Sequence, residues 1–108
     1  MPGSDLYTGT LDLLILKAVS WGPSHGYAIA RWIRETTSDV LVVQEGALYP
    51  ALHRLERKGL LSEEWRESET GRQAKYYTLT PRGRTQLRVE RKRWEEHSRA
   101  VARALASA

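Results

Sequence analysis

The chain has 108 residues, 41% of them apolar, no cysteine, and a net charge of +4 from 17 Lys and Arg against 13 Asp and Glu. This suits one globular domain, or one domain with an appended element, and excludes a disulfide scaffold, a Cys-bound zinc site and thiol catalysis. His25, His53 and His97 show no metal-ligand spacing, no apolar run nears the ~20 residues that cross a bilayer, and no signal peptide opens the chain; a soluble, cytoplasmic protein without metal or cofactor is expected.

The spacing of Leu11, Leu14, Ile15, Ala18 and Val19 predicts a buried helix from Thr10 to Trp21. Thr8 or Thr10 suits its cap, Asp12 its first turn, and Gly22-Pro23 its end. Ser24 is placed to cap a second helix running to about Glu35. Its inner face is Gly26, Ile29, Ala30 and Ile33, with Tyr27 and Trp32 on the flanks. After the polar turn Thr36-Thr37-Ser38-Asp39, the β-branched run Val40-Leu41-Val42-Val43 predicts a short extended segment. A third helix is expected from Gln44 to Lys58, with Leu48, Leu52 and Leu55 inward and Lys58-Gly59 as its C-terminal cap. Pro50 lacks the N–H that would reach the Gly46 carbonyl, so this helix should be slightly bent. Leu61–Arg66 and Ala74–Thr80 read as a hairpin around the polar tip Glu67 to Gln73. Pro81 then starts a long helix, Arg82 to about Ala106, whose thin stripe is Leu87, Trp94, Val101 and Leu105. So narrow a stripe covers a partner helix rather than a globular core.

Charge is unevenly spread. Residues 1–43 carry three bases (Lys17, Arg31, Arg34) against four acids (Asp5, Asp12, Glu35, Asp39), whereas residues 72–93 carry eight bases against Glu90 alone. Such a stretch either attracts a polyanion or forms a solvated helix face. Three helices followed by a basic hairpin make a winged helix-turn-helix, in which the third helix enters the major groove and the hairpin touches flanking backbone. The expected fold is therefore mainly α with a small β-hairpin. Residues 1–80 would form the DNA-binding domain and residues 81–108 a C-terminal dimerisation helix.

Three stretches resemble the PadR family of transcriptional regulators: Leu13-Leu14-Ile15-Leu16 with Gly22-Pro23-Ser24-His25-Gly26-Tyr27; Glu45-Gly46-Ala47-Leu48-Tyr49-Pro50 through Arg54-Leu55-Glu56 to Leu60; and Gly71-Arg72-Gln73-Ala74-Lys75-Tyr76-Tyr77 through Pro81-Arg82-Gly83. The resemblance covers about residues 6 to 105. It implies a homodimer that binds a palindromic operator and usually represses transcription, and the compact subgroup with a single C-terminal helix. The family often has Thr or Ser where this chain has Ala47, which removes a hydroxyl at the start of the recognition helix.

On a helical wheel the face opposite Leu48–Leu52–Leu55 holds Gly46, Pro50, His53 and Arg57. Gly46 and Ala47 are small enough to admit a phosphate. Gln44 offers a donor and an acceptor to base edges. His53 and Arg57 are placed for bases or phosphates, with plain solvent exposure the alternative for His53. Tyr49 either bonds a phosphate or packs under the hairpin. Arg54 suits a structural pair with Glu56 or another local acid, and Glu45 suits a helix start. On the wing Arg72 and Lys75 are the phosphate partners, Arg72 otherwise being a loose tip residue. Of Tyr76 and Tyr77, one should pack on the third helix and one face DNA. Tyr27 reaches the backbone or lies in the core.

The long helix is expected to pack, through Leu87, Trp94, Val101 and Leu105, on the first helix of the partner subunit, with packing on its own domain the alternative. The resemblance further implies a cavity at the dimer centre where Trp94 stacks a flat aromatic effector, with Arg91 and Arg93 favouring an anionic one; the plainer role for Trp94 is a dimer anchor. No nucleophile–base constellation or phosphate loop points to an enzyme, and Asp5 and Asp12 fit helix starts. A winged helix that binds protein rather than DNA is the competing expectation.

Overall fold

The computed structural model describes residues 8–108; Asp5 lies outside them. Helix α1 spans Thr8–Ala18, so Thr10 sits inside its first turn rather than capping it, and a single 3-10 turn, Val19–Trp21, finishes the predicted helix. Leu11, Ile15, Leu16, Ala18 and Val19 are all buried. Leu16, which the one-face pattern omitted, is buried because α1 is surrounded: the other three helices all pack on it. Strand β1 (Ser24–His25) leads directly into α2 (Gly26–Thr36), with Ile29 and Ile33 inward. The cap of α2 is His25 and not Ser24, through a bond from the Ala28 N–H to the imidazole Nδ1 at 3.2 Å.

The expected extended segment at Val40–Val43 forms no strand. Thr37 holds the turn before it, donating to the Ile33 carbonyl at 2.8 Å and accepting from the Leu41 N–H at 3.1 Å. Leu41 and Val43 pack against the core, while Val40 and Val42 are exposed. Strands β2 (Leu61–Glu67) and β3 (Gln73–Leu79) form the predicted hairpin, Leu61 opposite Leu79 and Glu67 opposite Gln73. The edge of β3 away from β2 goes instead to β1, His25 opposite Tyr76. The sheet therefore has three antiparallel strands, in the order β1-β3-β2.

Helix α3 spans Glu45–Arg57 and buries Leu48, Ala51, Leu52 and Leu55. It continues through Pro50 and ends in the predicted cap: the Gly59 N–H reaches the Glu56 carbonyl at 2.9 Å and the Leu60 N–H the Leu55 carbonyl at 3.0 Å. Helix α4 runs unbroken from Pro81 to Ala106, with Thr80 as its cap, accepting from the Gly83 N–H at 2.9 Å and donating to the Gly59 carbonyl at 2.7 Å. Gly83 is buried against Leu60, and Leu87 packs on the chain's own core. The first turns of α4 are thus part of the domain. Leu87, expected on the partner, is occupied at home because Thr80 anchors α4 directly beneath the end of α3.

Candidate nucleic-acid interface

The start of α2, the outer face of α3 and the β2–β3 wing bound an open groove of about 850 Å³. Of the predicted contact residues it brings together Tyr27, Tyr49, His53, Arg72 and Lys75. Gln44, Gly46, Ala47 and Arg57 are exposed at the two ends of α3, outside the lining of this groove.

The tyrosines are sorted by burial. Tyr77 is 3% exposed and belongs to the core; burial holds its hydroxyl above the ordinary tyrosine range. Tyr76 points to the groove side of the sheet. Tyr27 stands out at 65% exposed and so does not lie in the core. Tyr49 packs against Gly26: a methyl group at Gly26 would lie 2.8 Å from the Tyr49 hydroxyl. The missing side chain lets α2 and α3 approach, and the half-exposed phenol still lines the groove.

The basic stretch at residues 72–93 does not form one surface. Arg72 and Lys75 lie on the wing, whereas the other six bases lie on α4. Lys75, expected on phosphate, is ion-paired with Glu63 on β2. Glu63 in turn shares a hydrogen bond with Glu56 of α3. This bond pushes the Glu56 carboxyl above the ordinary carboxylate range and, with Lys75, holds Glu63 below it; the bond to Glu63 likewise raises the Lys75 ammonium. Arg66 is engaged with Glu64 through two bonds at 3.0 and 2.8 Å. Arg72, exposed at the turn, has no carboxylate partner among the described residues. Arg54 is structural as expected, but its partner is Asp12 of α1.

Sequence reasoning passed over His25, Arg31 and Trp65, which also line the groove. The clue for His25 was its place between a Gly-Pro turn and a helix start, but pattern alone assigned the cap to Ser24. On the far half of α4, Trp94, Val101 and Leu105 remain exposed at 47%, 42% and 81%. With Leu13 of α1 they line an open, largely apolar cleft of about 590 Å³. Arg91 and Arg93, expected to favour an anionic effector, are paired with Glu95 and Glu90, each at 3.5 Å. Among the described residues no group of His, Asp and Glu is placed to hold a metal ion, and no helix is long and apolar enough to cross a membrane.

This geometry has close counterparts. An uncharacterised protein of Lysinibacillus sphaericus is 31% identical over 96 residues, 89% of this chain and 88% of its own. A transcriptional regulator from Clostridium thermocellum superposes with a TM-score of 0.83 at 32% identity, over 93% of this chain and 97% of that one. A PadR-like transcriptional regulator from Bacillus cereus does so with a TM-score of 0.81 at 28% identity, over 97% and 100%. The model of the PadR-like transcriptional regulator family matches residues 15–89, the span from the core of α1 into α4. The chain therefore belongs to the PadR-like family of transcriptional regulators, which act through DNA and are not enzymes.

Proposed function

We propose that this chain is a cytoplasmic repressor that binds a palindromic operator as a homodimer, with α3 in the major groove and the wing on flanking backbone. One observation carries this reading. The exposed face of α3, with Tyr49 and His53 turned outward, shares a groove with a wing whose tip carries Arg72, without a carboxylate partner among the described residues. Four wing acids (Glu63, Glu64, Glu67, Glu69) leave Arg72 as the main anchor there. The uncovered stripe Trp94–Val101–Leu105 supports dimerisation, since an isolated helix face this apolar is unlike a solvated one. The cleft beside Trp94 supports release by a small, flat aromatic molecule stacked on the indole.

Selection of bound duplexes from a random pool tests the whole reading. The expected product is an inverted repeat whose half-sites lie about one helical turn, ~34–36 Å, apart. Enrichment of a non-repeated site, or none, would overturn the dimeric reading. For the effector, planar aromatics should quench tryptophan fluorescence in the wild type but much less in Trp94→Ala, over the constant background of Trp21, Trp32 and Trp65.

A further inference from the structure

His25 holds an unusual place in the groove. Its backbone is fixed by the β1–β3 pairing with Tyr76. Its imidazole Nδ1 accepts the Ala28 N–H at 3.2 Å. A ring nitrogen that accepts carries no proton, so the neutral imidazole must carry its proton on Nε2. The ring is also held by its neighbours. Tyr27 stacks beside it at 6.4 Å and 20°, and Tyr76 meets it edge-on at 5.3 Å and 84°. Beyond them Arg31 lies over Tyr27 at 5.6 Å and Arg66 over Tyr76 at 4.9 Å. The result is a continuous row, Arg31–Tyr27–His25–Tyr76–Arg66, crossing from α2 to the wing.

A histidine used only as a cap needs neither this bracing nor a place in the groove lining. The half-buried ring nonetheless lines the groove, and its Nε2 has no hydrogen-bond partner among the described residues, nor is it among their buried unpaired atoms. We propose that His25 is a DNA-backbone contact: a neutral imidazole, its tautomer set by the cap on α2, that donates Nε2–H to a phosphate oxygen. A donor already fixed in rotamer and tautomer loses little entropy on binding, which is the advantage of the bracing. This inference rests on the groove being the DNA surface.

The experiment compares wild type with His25→Ser on one duplex over a salt series. Serine keeps a capping oxygen for the Ala28 N–H but cannot reach across the groove. Loss of one neutral hydrogen bond should weaken binding about three- to tenfold per half-site. Because no cation is removed, the slope of log affinity against log salt should stay the same. Unchanged affinity overturns the inference, and so does a slope reduced by about one, which would mean a cationic contact. Circular dichroism melting checks that His25→Ser folds. Should it not, nitrogen-15 spectra of the wild-type histidines decide. An Nε2–H tautomer at His25 whose resonance moves on adding duplex supports the contact; an Nδ1–H tautomer or an unmoved resonance overturns it. If wild type fails to retard duplex DNA even at low salt, the DNA reading of the groove falls too; if it binds and only the His25 results fail, the inference falls alone.

Discussion

Gly83 is where a single methyl group matters most. A Cβ there would run into the Leu60 carbonyl oxygen and lie 2.7 Å from the Leu79 side chain. Leu60 cannot retreat easily, since that same carbonyl accepts the Thr80 N–H at 3.1 Å. Gly83→Ala should cost about 1–3 kcal/mol, read as a lower thermal midpoint. The Glu56–Glu63 pair gives a pH-dependent counterpart. Glu56 keeps its proton to higher pH folded than unfolded, so its contribution improves as pH falls through the carboxylate range. Glu63, held low, contributes at neutral pH and loses that contribution only on further acidification. Glu56→Gln keeps a donor beside Glu63 and removes the like charge. The variant should therefore melt higher than wild type near pH 7, with the gap closing towards about pH 4, as followed by melting curves across that range.

At the scale of elements, the work of recognition in the proposed complex is divided between the wing and α3. Arg72→Ala should weaken binding to all duplex sequences alike and lower the salt slope by about one. Gln44→Ala should instead change which sequences are preferred, because a side chain with both a donor and an acceptor reads base edges. Repeated binding-site selection with each variant separates the two outcomes. The helices were legible because their apolar spacing matched their burial, as at Leu48, Leu52 and Leu55, and because Gly59 and Pro81 punctuate the chain where α3 ends and α4 begins. Strand β1 was not legible. Two residues carry no periodicity, and their pairing with β3 is a tertiary event. For the same reason the β-branched run at Val40–Val43 misled: propensity favours a strand, but the Thr37 turn and the packing of Leu41 and Val43 on the core hold it outside the sheet. At the site, exposure of His53 and Arg72 followed from the pattern. The pairing of Lys75 with Glu63 did not, because it joins two strands across a turn.

The whole molecule measures 57 × 28 × 21 Å, far longer than a sphere of its mass. Its long dimension reflects α4, about 39 Å of continuous helix at 1.5 Å per residue. The near end is committed to the domain through Gly83 and Leu87, and the far end displays Trp94, Val101 and Leu105. Leu105→Asp should dissociate the proposed dimer, seen by sedimentation as a monomer at concentrations where the wild type is expected to be dimeric, with helical content retained. Affinity for a two-half-site duplex should then fall towards that of one half-site.

The seat of Gly83 also fixes the rotational phase of everything beyond it. An uninterrupted helix transmits that angle like a crankshaft: each added or deleted residue would turn the tail by about 100° and move it by about 1.5 Å. The register between the anchor at the domain and the apolar stripe is therefore as much a part of the proposed dimer's geometry as the side chains themselves. A length change between Leu87 and Trp94 that is not close to a whole number of turns would point the stripe away from its mate while leaving every residue of it intact.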